Sequence, residues 1–218
     1  MNADDKLKRS IDTLQRLYAV IAGLAIGEAL RGIVKGTGAA LEVRLSGVEL
    51  PLCIATLVTV IPFVHGMNRH LDDHIGELAT RENPNRMVRT LLVDFLVFVF
   101  ESGLLFVLGA SVNAPGPWFS NILLTLLIVD IVWTVPRTFL ELEQTDWTRP
   151  DDAAKEHRRQ QLVWAVINLT ACALVGLLRW RITKGELEAW LILAVAMGRS
   201  AADYWTGKKF YFPLVSGN

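Results

Sequence analysis

Six apolar stretches run through this 218-residue chain, each close to the ~20 residues that a helix needs to cross a ~30 Å hydrocarbon core. They are Leu14–Val34, Val48–Met67, Val88–Ala110, Trp118–Leu140, Gln161–Trp180 and Glu186–Trp205. Because a backbone in lipid must satisfy its own hydrogen bonds, stretches of this length read as helices. The expected fold is therefore all-α: a polytopic membrane protein of six transmembrane helices. Glycine and proline clusters separate the spans at Gly36-Thr37-Gly38, Asn83-Pro84-Asn85, Ala114-Pro115-Gly116-Pro117 and Arg149-Pro150-Asp151. The sixth span is the least apolar, with only Leu187–Gly198 continuous. Pro62 and Pro136 fall inside spans two and four, where neighbouring helices can satisfy the carbonyls they free.

The chain divides into a polar N-terminal segment (1–13), the membrane domain (14–206) and an aromatic and basic tail (207–218). Met1–Arg16 is too polar for a cleaved leader, so the first span reads as a signal anchor. Lysine and arginine set the orientation. Lys6, Lys8, Arg9 and Arg16 precede span one; Arg69, Arg81, Arg86 and Arg89 join spans two and three. On the same side are Arg137, Arg149, Lys155, Arg158 and Arg159, with Lys208 and Lys209 in the tail. The other side has Arg31, Lys35, Arg44, Arg179, Arg181 and Lys184. Fifteen against six puts both termini in the cytoplasm of an inner-membrane protein. Trp118, Trp180 and Trp190 would mark the outer boundary, and Trp164 and Trp205 the inner one. A formal net charge of zero gives no general attraction to nucleic acid. Cys53 and Cys172 lie within spans and read as small apolar residues rather than a disulfide.

Ionisable residues inside the spans carry the information about function, since a carboxylate in hydrocarbon costs roughly 2.5–3.5 kcal/mol on insertion scales unless it faces protein or water. Glu28, Asp94, Glu101, Asp130, Arg199 and Asp203 are such residues, with His65 and Arg137 near inner helix ends. Asp94 and Glu101 are seven apart, two turns, and share a face of span three. The expectation is a polar cavity facing the cytoplasm, with Glu101 deeper and Glu28 beyond it. A ladder of carboxylates is what a proton or cation path requires. The competing reading pairs the charges structurally: Asp94 or Asp130 with Arg199, and Asp203 with Arg137.

A weak repeat accompanies the charges. Arg16 precedes Glu28 by 12 residues and Arg89 precedes Glu101 by the same 12, while spans two, four and six end with Arg69/Asp72, Arg137/Glu141 and Arg199/Asp203. Three parallel helical hairpins around a polar core would give this pattern. Ala19, Gly23 and Gly27 on span one, and Ala194, Gly198 and Ala202 on span six, are candidates for close contacts within the chain or in a homo-oligomer.

His65, His70 and His74 with Asp72 and Asp73 close span two. One turn of helix separates His70 from His74, so a single divalent metal on His70, His74 and Asp73 is a further reading, although no cofactor is required. The alternative is a solvated helix end. With four histidines in all, the chain lacks the roughly eight that a membrane di-iron centre uses. G-x-S-x-G, phosphate-loop and dinucleotide glycine patterns are missing, as is a potassium-type filter. The favoured expectation is an ion- or proton-coupled channel or transporter, with the bilayer and a small ion or molecule as partners. A non-transporting sensor or effector comes second, and a metal-dependent membrane enzyme third.

Overall fold

The computed structural model describes the backbone of residues 3–37, 40–43, 47–78, 84–114, 117–142, 152–181 and 185–212, and side chains over 9–34, 47–72, 92–114, 117–135, 159–180 and 185–212. Six long helices dominate: α1 (Ala3–Ile33), α2 (Glu49–Leu78), α3 (Pro84–Ala110), α4 (Trp118–Leu142), α5 (Asp152–Arg181) and α6 (Glu186–Thr206). A short α7 (Lys208–Tyr211) follows. Pro84 opens α3, where its missing N–H costs nothing. Gly185 stands before α6 at φ 134°, a backbone state that favours glycine. The first connection forms a small antiparallel hairpin, β1 (Val34–Thr37) with β2 (Ala40–Val43), in the register Val34↔Val43.

Among the described residues, four helices, not six, are long and apolar enough to cross a membrane. Their segments are Glu49–Asp72, Leu92–Asn113, Trp118–Val135 and Arg159–Trp180, on α2 to α5. Helices α1 and α6 fall outside that class because charges dilute them: Glu28 and Arg31 on α1, and Glu186, Glu188, Arg199 and Asp203 on α6. Both nevertheless pack as full members of the bundle. Helices α2, α3, α4, α5 and α6 close a ring by successive contact, and α1 lies behind the seam between α2 and α3. The consecutive hairpins α1·α2, α3·α4 and α5·α6 all pack, but their cross-pairings are unequal. Helix α1 rests heavily on α3, whereas α3 has no comparable contact with α5 among the described residues. The packing is thus not that of three equivalent hairpins.

The outer surface carries Leu96, Val132, Val166 and Leu169 exposed, while the half of the bundle near the β-hairpin is filled by Leu105, Leu108, Leu126 and Val175. Within the chain, the small-residue contacts lie elsewhere than at the spaced glycines. Gly23, Gly27 and Gly198 have open space where a Cβ would go. The tight seam is instead Ala22, Ala25 and Ala29 of α1, all buried, against Gly109 of α3, whose Cβ would strike the Ala25 carbonyl. Backbone approach of that kind is what holds helices together where lipid removes the hydrophobic drive. Gly109→Ala is expected to lower the melting temperature in detergent measurably, whereas Gly23→Ala leaves it unchanged.

Helix α2 runs through Pro62. Proline frees the carbonyl four residues earlier, that of Val58. Ser200 Oγ on α6 donates to that carbonyl at 2.9 Å. Ser200 is buried, so Ser200→Ala leaves the carbonyl without its partner and should destabilise the fold by about 1–2 kcal/mol; denaturant or thermal unfolding in micelles reads it directly.

Candidate functional site

The half of the bundle near α7 is hollow. A cavity of ≈ 100 Å³, counted as space open to the centres of water-sized molecules, lies inside the ring. Helix α2 contributes Phe63, Met67 and His70 to its wall, α3 Phe98 and Glu101, and α4 Asp130 and Trp133. Helix α5 adds Gln161, Trp164 and Asn168, α6 Arg199 and Asp203, and α7 Tyr211. One water needs about 10–15 Å³ on this measure, so several waters or one compact molecule fit.

Arg199 organises the wall. Its Nε donates to Asn168 Oδ1 at 2.9 Å, and its Nη1 lies 3.5 Å from Asp203 Oδ2 as an ion pair one turn along α6. The guanidinium carbon stands 4.7 Å from the centre of the Phe63 ring, a cation–π contact. Asn168 passes the interaction on, its Nδ2 donating to Asp130 Oδ2. Asp203 is held from the other side by Tyr211, whose hydroxyl donates to Oδ1 at 2.9 Å. One cation therefore ties α2, α4, α5, α6 and α7 together.

Glu101 stands apart from that network. It is 4 % exposed and lines the cavity, yet its Oε1 has no hydrogen-bond partner. The Tyr18 hydroxyl on α1 is likewise buried and without one. Among the described residues, Glu101, Asp130 and Asp203 share this space with one guanidinium, that of Arg199. A buried carboxylate short of counter-charge must take a proton or a cation.

The floor of the cavity is α7. Arg69 Nε donates to the Phe210 carbonyl at 2.9 Å, and the Phe210 ring meets Trp164 edge-on at 4.8 Å. His65 is enclosed by Tyr204, Tyr211 and Phe212, and its Nδ1 is 3.3 Å from the Tyr204 hydroxyl. Gly207 makes the turn possible, since a Cβ there would sit 2.9 Å from both the Asp203 carbonyl and the Tyr211 ring. Burial, then the neighbouring Asp203 carboxylate, push the Tyr211 phenol well above its usual pKa. Tyr211 is thus a hydrogen donor throughout the physiological range. The described part of the aromatic and basic tail folds back against α2 and α6.

Glu101, Asp130, Arg199 and Asp203 of the expected site residues surround the cavity directly. Asp94 is one step behind, its Oδ2 3.6 Å from Nε2 of His70, which lines the wall. Glu28 is not with them: it pairs with Arg31 at 2.9 Å in the opposite half. His65 belongs to the aromatic cluster at the floor. The side chains of Arg137, Asp73 and His74 lie outside the described residues, and among those described no three His, Cys, Asp or Glu converge as a metal site. Asp203 meets Arg199, whereas the sequence pairs it with Arg137. Asn168 and Tyr211 escape the sequence reading. Asn168 had a signal, as a lone amide amid the apolar run of α5; Tyr211 had none beyond an aromatic tail. Compared with known proteins, the chain matches no family model, no curated protein and no solved structure.

Removing one partner of a buried ion pair typically costs about 3–5 kcal/mol, because the other charge is left alone. Arg199→Ala should therefore abolish stable folded protein in detergent, and the double change Arg199→Met with Asp203→Leu should recover much of the loss. Unfolding curves of the two variants against the parent check this.

Proposed function

We propose that the protein is an integral membrane protein that binds and passes a proton or small cation, as a channel or coupled transporter, through the cavity at Glu101. The observation that carries this reading is the Glu101 carboxylate. It is buried near the middle of the Leu92–Asn113 segment, with one oxygen unpartnered and facing an acid-rich cavity. Intramembrane carboxylates are costly and recur where ions and protons move. A purely structural charge would be expected to find a donor, as Asp203 and Asp130 have done.

On this reading α1 and α6 cross the bilayer beside the four more apolar helices, with Arg199–Asp203 paired inside the bundle and Glu28 paired at its surface with the exposed Arg31. The excess of arginine and lysine at the α7 end makes that end cytoplasmic and an inner membrane the location. The cavity then belongs to the cytoplasmic half, and the packed leucines around Leu105 and Leu108 seal the other.

Glu101→Gln preserves shape and removes charge. In vesicles containing the purified protein, flux of protons or cations is expected to fall to the level of empty vesicles, while unfolding behaviour stays near that of the parent. Undiminished flux in the variant would sink the role given to Glu101. A second reading, a sensor, is favoured by one contact. Because Tyr211 of the terminal segment bonds Asp203 in the wall, occupancy of the cavity would be felt at the tail. That reading expects no flux from the parent protein.

A further inference from the structure

The wall of the cavity already holds one organic cation, the guanidinium of Arg199, and it does so by a particular combination. An aromatic face, Phe63, stands 4.7 Å from it, a carboxylate, Asp203, lies 3.5 Å away, and an amide oxygen accepts its Nε–H. The same two chemistries recur beside it. Glu101 offers a buried, unpartnered carboxylate oxygen, and Phe98, Trp133 and Trp164 bring aromatic rings to the same space. A hard metal ion prefers six or more oxygen ligands. Ammonium groups on a carbon body are instead drawn to aromatic faces together with a carboxylate. Size narrows the class further, since a dry cavity of about 150 Å³ takes benzene and this one is ≈ 100 Å³.

We propose that the cavity binds a compact organic ammonium ion, with its nitrogen at Glu101 Oε1 and its carbon body against Phe98, Trp133 and Trp164. The carbon body is smaller than a benzene ring, which takes a cavity of about 150 Å³. This deepens, and rests on, the reading of the cavity as a site for cations. It names the substrate class. Asp130 and Asp203, engaged by Asn168, Arg199 and Tyr211, set the negative potential around the site, while Glu101 makes the direct contact.

The experiment is a thermal-shift series on the purified full chain in detergent at constant ionic strength, with ethylammonium, trimethylammonium, potassium, magnesium and tetraphenylphosphonium chlorides. Ligands that bind the folded state raise its melting temperature with concentration. Ethylammonium or trimethylammonium is expected to raise it in a saturable way. Potassium, magnesium and the bulky phosphonium should not. Glu101→Gln should lose the shift, and Glu186→Gln, at the exposed far end of α6, should keep it. Trp133→Leu should weaken binding by about fivefold, the scale of one cation–π contact, which keeps the test decisive if Glu101→Gln folds poorly. Equal shifts from potassium or magnesium, an equal shift from the phosphonium, or no shift from either amine would overturn the proposal. Proton flux through a protein that binds neither amine would overturn this inference and leave the transport reading intact. Saturable amine binding without any flux would do the reverse.

Discussion

Arg199 is a guanidinium largely withdrawn from water, and such a charge is tolerated only where opposite charge surrounds it; its Nη1 is close to Asp203 as an ion pair but makes no hydrogen bond. Each partner that meets it fixes a different helix. Asp203 is on its own helix, but Asn168 must be brought by α5 and the Phe63 face by α2. Asn168, with its oxygen committed to Arg199, turns its nitrogen to Asp130 on α4. Asp203 then accepts from Tyr211 and draws α7 beneath the bundle. The order of helices around the cavity is in this sense the coordination shell of one cation. Among the described residues three carboxylates line the wall, and Glu101 is the one not hydrogen-bonded or ion-paired to Asn168, Arg199 or Tyr211.

Shape complementarity does the corresponding work in the other half. In a bilayer, lipid tails would be as apolar as leucine, so burying Leu105 or Leu108 between helices would give little drive towards association, and close approach of backbones would supply it. The α1–α3 seam is the clearest case, with Gly109 set against Ala25. Hydroxyls complete the arrangement. Thr56, Thr59 and Ser102 donate to carbonyls of their own helices, and Ser200 reaches across to the carbonyl freed by Pro62. Polar groups therefore appear throughout the interior, but only around the cavity do they belong to a charged network.

Helices α2 to α5 were legible because their apolar length suits a membrane span, whereas α1 and α6 fall short of it; Asp94 and Glu101, two turns apart, are both buried. What escaped was partner choice. Arg199 has acids at suitable depth on three helices, and spacing alone cannot say that it takes Asp203 one turn away and reaches Asp130 only through Asn168. The glycine stripe misled for a related reason. Gly23 and Gly27 are spaced for close packing, yet the alanines one position round the helix are equally small and are the ones buried against α3. Glu28 looked like the outer step of a ladder by depth, but Arg31 three residues on lies on the same helix face and neutralises it. The fold-back of α7 depends on Gly207 and on a tyrosine whose partner lies eight residues earlier, beyond the reach of any local pattern.

The position of Glu101 at the join between the two halves has a mechanical consequence. One turn further along α3 comes Leu105, fully buried, then Leu108, with Leu126 packed on the same side. A close-packed interior of this kind opens only by moving whole helices. In the other direction the barrier is α7, a single turn held by the Tyr211–Asp203 and Arg69–Phe210 hydrogen bonds and a set of ring contacts. Elements with few buried contacts open locally at far lower free energy than a packed core. Anything held at Glu101 therefore exchanges more readily with the α7 side. On the proposed transport reading, release to the opposite side needs a rearrangement of the ring, whose contacts include the bond between Ser200 and the Val58 carbonyl. That bond joins α6 to α2 next to the proline where α2 is already missing a hydrogen bond of its own.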